Sequence, residues 1–81
     1  MIYLAGPYSD PDPFVRELRF IQLTNYAAEL VTLDIMVISP ITHSHPIAVV
    51  EDLPTGWDYW SKLDFALMTI CDEMRVLKMP G

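Results

Sequence analysis

The sequence predicts a three-layer α/β fold built on a truncated, doubly wound parallel sheet. Short strand-like runs occur at residues 2–4, 35–39 and 74–77, and the second is apolar without alternation, which is typical of a parallel strand covered on both faces. Longer helical patterns separate these runs, giving the order βαβαβ with right-handed crossovers. Eighty-one residues allow one domain, so we assign residues 1–81 to a single α/β domain.

The first predicted strand opens the stretch MIYLAGPYS at residues 1–9. Residues 2–4 are β-branched, aromatic or aliphatic, and a Gly-Pro pair ends the run. In open α/β sheets, ligands bind outside the carboxyl ends of the strands. We therefore expect the loop after this strand to line a binding site through Gly6, Pro7, Tyr8 and Ser9.

A long helix is predicted from Phe14 to about Leu33, because this segment contains no proline or glycine. Asp12 is placed to cap it and Pro13 to occupy its first position. The polar residues, Arg19 among them, fall in one sector, and apolar residues spread over much of the rest of the helix surface. Arg16 lies in the first turn, where it would either meet an anionic group near the first loop or remain solvated.

A second buried strand is predicted at residues 35–39, followed by a long loop over residues 40–56. Three prolines and a glycine interrupt this segment, and long loops at a strand's carboxyl end are usually functional. Its His43 and His45 are expected to close the pocket or to bond the backbone. Two histidines without further ligands do not make a metal site, so no metal is predicted.

A second helix is predicted over residues 57–71 and a third strand over residues 74–77. Asp64 falls on or beside the inward face of this helix, where burying its charge is costly without a partner. It is either a functional carboxylate or an edge residue paired with Lys62 or solvent. Trp57, at the start of the helix, could stack on a base or pack in the core.

Composition excludes several classes of function. The net charge of −6 and the five scattered basic residues give no positive stripe for a nucleic-acid polymer. The apolar runs are far shorter than the ~20 residues of a membrane span. One glycine stands where the dinucleotide fingerprint needs three, and one cysteine cannot form an internal disulfide. We expect a cytoplasmic protein that binds a small molecule and carries no cofactor.

Several motifs occur together in this chain. An opening strand into G-P-Y and a long helix precede a strand into SPITHSHPIA, and W-x3-D-x2-L-x3-C-D-E-x-x-V-L follows. This combination, over almost the whole chain, resembles small phage and bacterial proteins grouped with the nucleoside 2-deoxyribosyltransferase-like family. The resemblance implies a flavodoxin/Rossmann-like fold that acts on the N-glycosidic bond of nucleosides or their monophosphates.

Under this resemblance, Gly6, Pro7 and Tyr8 would line the sugar or base site, and Asp64 would hold the substrate by hydrogen bonds. The family's nucleophile is a glutamate in an S-x-G-x3-E segment, which residues 1–81 do not contain. Catalysis by these residues is therefore expected to be incomplete. A noncatalytic phage protein that binds or sequesters a nucleotide, and a structural oligomerisation module, are the alternatives that the same residues allow.

We predict that the protein forms a homo-oligomer, most simply a dimer. The first helix carries apolar residues on more faces than a three-stranded sheet can cover, and exposed apolar patches commonly mark interfaces. Light scattering at micromolar concentration is expected to give at least twice the 9.3 kDa mass of one chain. A monomer mass at that concentration would contradict the prediction.

Overall fold

The computed structural model describes residues 1–78 and confirms the predicted α/β fold. In chain order its elements are β1 Ile2–Ala5, α1 Pro13–Thr32, β2 Val37–Ile38, α2 Pro40–Glu51, α3 Trp57–Ile70 and β3 Glu73–Val76. The three strands form one parallel sheet in the order β2-β1-β3. This is the order of the first three strands of a flavodoxin-like sheet.

Strand β1 is the centre of the sheet and pairs with both other strands. Its register is Ile2 with Val37 on one side and Ile2 with Glu73 on the other. The connection from β1 to β2 and the connection from β2 to β3 run in opposite directions along the sheet. Right-handed crossovers therefore place α1 and α3 on opposite faces. The strand order reverses between β1 and β3, which is where such sheets bind ligands.

Helix α1 begins and ends as its sequence predicts. The Asp12 side chain accepts a hydrogen bond from the backbone N–H of Phe14 at 2.9 Å, and a proline occupies the first helical position. At the other end Asp34 has a φ of 60°, the left-handed conformation that Asp tolerates better than most residues. The backbone N–H of Ile35 then bonds the carbonyl of Leu30 at 3.0 Å, which closes the helix.

The prediction of a long loop over residues 40–56 is wrong, because residues 40–51 form helix α2. Ser39 is its N-cap, and Pro40 occupies the first helical position. Proline is tolerated there, because the N–H that it lacks would have no hydrogen-bond partner within the helix. Pro46 lies inside the helix, where proline normally costs stability. This cost is outweighed by the contacts of the residues of α2 that face inward, which are Ser44, His45 and Ala48.

A short chain of hydroxyl groups fixes α2 against α1. The Thr42 hydroxyl donates to Ser39 Oγ at 2.8 Å, and the hydroxyls of Thr42 and Thr24 are 2.9 Å apart. Thr24 belongs to α1, so this chain joins the start of α2 to the middle of the long helix. It sets the position from which His45, one turn further along α2, reaches α1.

The remaining predicted boundaries are close to those observed. Strand β2 has two residues in place of the predicted five, and β3 is Glu73–Val76 in place of residues 74–77. Helix α3 ends at Ile70, one residue before the predicted end. On α1, the side chains of Phe14, Leu18 and Ile21 are 69%, 47% and 42% exposed. The predicted self-association therefore has an apolar surface available to it and stays a prediction.

We predict that Pro46→Ala raises the free energy of unfolding. The alanine restores a backbone N–H in the interior of α2 and removes the ring's clash with the preceding turn, while the exposed proline ring packs on little. The expected gain in urea unfolding is roughly 1–3 kcal/mol, after allowance for the greater freedom of the unfolded variant. Pro54→Ala, in the loop between α2 and α3, is the control and should bring no such gain.

Candidate functional site

A cavity of about 340 Å³ lies between β1, α2 and α3, beside the point where the strand order reverses. Its walls are mainly apolar and aromatic, and a few polar groups face it. The residues that line it include Tyr3, Gly6, Tyr8, Ser44, His45, Trp60, Asp64 and Met68. Apolar walls with few polar groups are typical of small-molecule sites.

Asp64 brings a carboxylate into this cavity from the middle of α3. The residue is 9% exposed, and among residues 1–78 no hydrogen bond or ion pair meets its carboxylate. The alternative of an edge residue paired with Lys62 is therefore wrong. Burial raises the pKa of Asp64, because the charged form loses hydration without gaining a partner. No fully enclosed side-chain oxygen of the described residues lacks a hydrogen-bond partner, so the Asp64 carboxylate opens on the cavity. Its partial burial is costly to the fold, and the carboxylate is available to a ligand.

Tyr3 lies next to Asp64 and faces the same cavity. Its side chain is 5% exposed, and within the described part of the chain its phenol has no hydrogen-bond partner. Burial raises its pKa to about 12, and the nearby Asp64 carboxylate adds to the shift. The phenol thus stays protonated and can donate. Sequence reasoning treated Tyr3 only as strand core, although strand alternation places it on one face with Ala5, towards the cavity wall.

A second polar feature of the cavity wall is a row of three hydrogen-bonded side chains, those of Tyr8, His45 and Glu17. The Tyr8 hydroxyl lies 2.5 Å from His45 Nδ1, and His45 Nε2 lies 2.5 Å from Glu17 Oε2. Phe20 stacks on the imidazole with ring centroids 4.5 Å apart. His45 is buried, whereas the Glu17 side chain is half exposed. These three side chains therefore connect the cavity, through the interior, to the surface of α1.

Glu17 was missed by the sequence analysis. With residues 40–56 taken as a loop, His45 had no fixed direction and no partner could be assigned to it. A helical interpretation of that segment would have placed His45 on one face with Ile41, Ser44 and Ala48. Glu17, one turn into the helix after the first loop, was then a candidate partner.

Two arginines hold the loop that carries Tyr8. Arg19 is buried, although it falls in the polar sector of α1, and donates to the Ser9 carbonyl at 3.0 Å. Arg16 donates to the Asp10 carbonyl at 2.5 Å. The Arg16 guanidinium also lies near the Tyr8 phenol and opposes the rise in pKa that burial gives Tyr8. A backbone carbonyl thus takes a donor of Arg16, for which an anionic group near the first loop was one of the two alternatives.

The predicted site residues separate into two groups in the structure. Those that line the cavity are Gly6, Tyr8, Ser9, His45, Trp57 and Asp64. Those that lie outside its lining are Pro7, Arg16 and His43. Trp57 is half exposed at the start of α3 and packs edge-on against Phe65, so it stands at the rim.

Two general features complete the description of residues 1–78. Within that range no group of three or more His, Cys, Asp or Glu side chains is arranged to hold a metal ion. None of the helices described there is both long enough and apolar enough to cross a membrane.

Comparison with known proteins gives one finding. A family model described as "Domain of unknown function (DUF1937)" matches residues 1–81, the whole length of the sequence. No protein with a curated description matches the chain.

We predict that Asp64→Asn stabilises the protein in the absence of ligand. Because folding raises the pKa of Asp64 above its ordinary value of 3.8, the folded state binds more protons than the unfolded state just above that pH. Its contribution to stability therefore falls as pH rises through this interval, and it stays unfavourable at pH 7. Asparagine removes the buried charge, and the expected gain at pH 7 is on the order of 1 kcal/mol.

Melting curves from pH 3 to pH 7 test this prediction. The difference between Asp64→Asn and the unmodified protein should grow with pH above 3.8 and then level off. Asp58→Asn, an exposed carboxylate on the same helix, is the control and should show no such growth. A loss of stability in Asp64→Asn at pH 7 would mean that the carboxylate supports the fold.

Proposed function

We propose, for a chain that belongs to the DUF1937 family of domains of unknown function, that its cavity binds a nucleoside or nucleotide through the base. The observation that carries this proposal is the Asp64 carboxylate, buried beside the Tyr3 phenol without a described partner. The resemblance to nucleoside 2-deoxyribosyltransferase-like proteins supports the same ligand class. In that resemblance Asp64 holds the substrate.

The chemistry of a nucleobase fits the polar groups at this end of the cavity. A base has two flat apolar faces, and its edge carries N–H donors beside carbonyl or ring-nitrogen acceptors. An ionised Asp64 can only accept, and the protonated Tyr3 phenol can donate. A base edge with an N–H next to an acceptor would satisfy both groups, while Trp60 and Met68 supply apolar surface.

The size and position of the cavity agree with a small ligand. About 340 Å³ lies at the lower end of the usual range for ligand pockets, where a nucleoside fits better than a dinucleotide. A base bound at Asp64 would supply the hydrogen-bond donor that no described residue gives to this carboxylate. The cost of the buried carboxylate would then be offset only in the complex.

Binding is proposed without glycosyl transfer by residues 1–81. In the resembling family a glutamate nucleophile in an S-x-G-x3-E segment attacks the anomeric carbon, and no glycine in this sequence has a serine two positions before it. A noncatalytic protein that binds or sequesters a nucleotide is the second candidate. The same cavity supports it, since it needs Asp64 and Tyr3 and no nucleophile.

We predict that Asp64→Asn weakens nucleoside binding about tenfold or more, because it replaces a charged acceptor by a neutral amide. Calorimetric titration with adenosine, guanosine, cytidine and thymidine, and with their monophosphates, measures the affinities. Asp58→Asn removes the same charge from an exposed site on α3 and should bind as the unmodified protein does. Equal weakening in both variants, or no heat with any of these compounds, would contradict base recognition by Asp64.

Chromatography of the same mixtures distinguishes binding from catalysis. No free base is expected above a control without protein. If base were released, and if Asp64→Asn or Glu17→Gln abolished the release, one of these carboxylates would act in glycosyl cleavage. That result would refute the proposal of a noncatalytic nucleotide-binding protein.

A further inference from the structure

The hydrogen-bonded side chains of Glu17, His45 and Tyr8 bear on which hydrogen-bonding groups of a ligand the cavity can bind. The two contacts between them are both 2.5 Å long, and each uses a different nitrogen of the buried His45 ring. A carboxylate can only accept, so the proton between His45 and Glu17 belongs to His45 Nε2. A neutral imidazole carries one proton, which leaves Nδ1 without hydrogen and able to accept from Tyr8.

We propose that Glu17 and His45 fix the Tyr8 phenol as a hydrogen-bond acceptor towards the cavity, so that the site selects ligands with a hydroxyl or N–H donor at this end. With Nδ1 free of hydrogen, the Tyr8 hydroxyl gives its only proton to this nitrogen, 2.5 Å away. What the cavity meets is therefore the oxygen's remaining lone pairs. Glu17, which does not line the cavity, acts on the ligand through His45 as a positioning residue.

The surroundings hold this arrangement in place. Phe20 stacks on the His45 ring with an interplanar angle of 26°, and His45 sits on α2, which the hydroxyls of Thr42 and Thr24 tie to α1. The Arg16 guanidinium lies beside the Tyr8 oxygen and, like any guanidinium, can only donate. Its presence suits an oxygen that accepts and opposes one that must donate.

Tyr8 and Asp64 lie at different levels of the cavity. Asp64 stands beside Tyr3, within β1, whereas Tyr8 follows the end of that strand by three residues. The inference rests on the proposed function for the identity of the ligand. With the base held at Asp64, the group that reaches Tyr8 is a sugar hydroxyl, which can accept as well as donate and would here be required to donate.

The tautomer of His45 is measured without any ligand. In a protein labelled with ¹⁵N at histidine, the ring of His45 should show a protonated Nε2 and a bare Nδ1 at neutral pH, and His43→Gln assigns the signals. Glu17→Gln lets the side-chain amide donate to Nε2 and should move the proton to Nδ1. Glu29→Gln, an exposed site on the same helix, removes the same charge and should leave the spectrum unchanged.

Ligand selectivity is measured next, with a nucleoside and its 2′,3′-di-O-methyl ether as the analogue, whose ether oxygens accept hydrogen bonds but cannot donate them. The unmodified protein should bind the nucleoside about tenfold more tightly than the analogue. In Tyr8→Phe and in Glu17→Gln this ratio should fall to within about twofold, while Glu29→Gln keeps it. A purely structural role of Glu17 would weaken both ligands equally and preserve the ratio.

The outcomes separate this inference from the proposed function. Nucleoside binding with a protonated Nδ1 in the unmodified protein, or an unchanged ratio in Tyr8→Phe, would overturn the inference and leave the proposed function intact. The expected tautomer without binding of any nucleoside would refute the proposed function and still establish Tyr8 as an acceptor. Binding, the expected tautomer and a collapsed ratio in both variants support the inference.

Discussion

Parallel pairing of both other strands with β1 is the constraint on which the structure depends. With β1 in the centre, its residues are buried on two faces and two edges, and Leu4 is fully enclosed. The two crossovers leave in opposite directions, so the helices diverge at the carboxyl end of β1 and a cavity opens there. The loop with Tyr8 and the start of α2 both follow from strand ends at this edge.

The interior of this small domain is unusually polar. Its buried apolar residues are Ile2, Tyr3, Leu4, Leu23, Leu30 and Ala48, and nearly as many buried residues are polar, namely Arg19, Ser39, Ser44, His45 and Asp64. Buried polar groups normally have hydrogen-bond partners, and Arg19, Ser39 and His45 do. Asp64 has no partner among residues 1–78, and its carboxylate opens on the cavity instead.

Much of the fold could be predicted from the sequence because its signals are local. The cap at Asp12, the uninterrupted helical segment and the apolar run at residues 2–4 each specify structure within a few residues. Helix α2 could not be predicted in this way. Its prolines indicate a loop locally, and the contacts that keep it helical come from α1, more than fifteen residues earlier in the chain.

The site was predicted in part for the same reason. Tyr8 and Asp64 were found because a strand end and a mid-helix carboxylate are signals in their own right. Glu17 and Tyr3 were missed because their roles appear only when other elements are placed. Glu17 needs His45 on a helix, and Tyr3 needs Asp64 across the cavity. The burial of Arg19 within the polar sector could not be predicted, because helical periodicity does not reveal a loop folding back over the helix.

The two sides of β1 are paired to different extents, and this bears on how the molecule opens. Four residue pairs join β1 to β3, whereas two join it to β2. Partial unfolding proceeds through the least supported units first, and amide hydrogen exchange reports their free energies. The β2 edge should therefore exchange sooner than the β3 edge. Helices α1 and α2, which adjoin β2, are bridged by the contact between Glu17 and His45. One partly buried hydrogen bond would therefore serve both ligand selection and the retention of this edge.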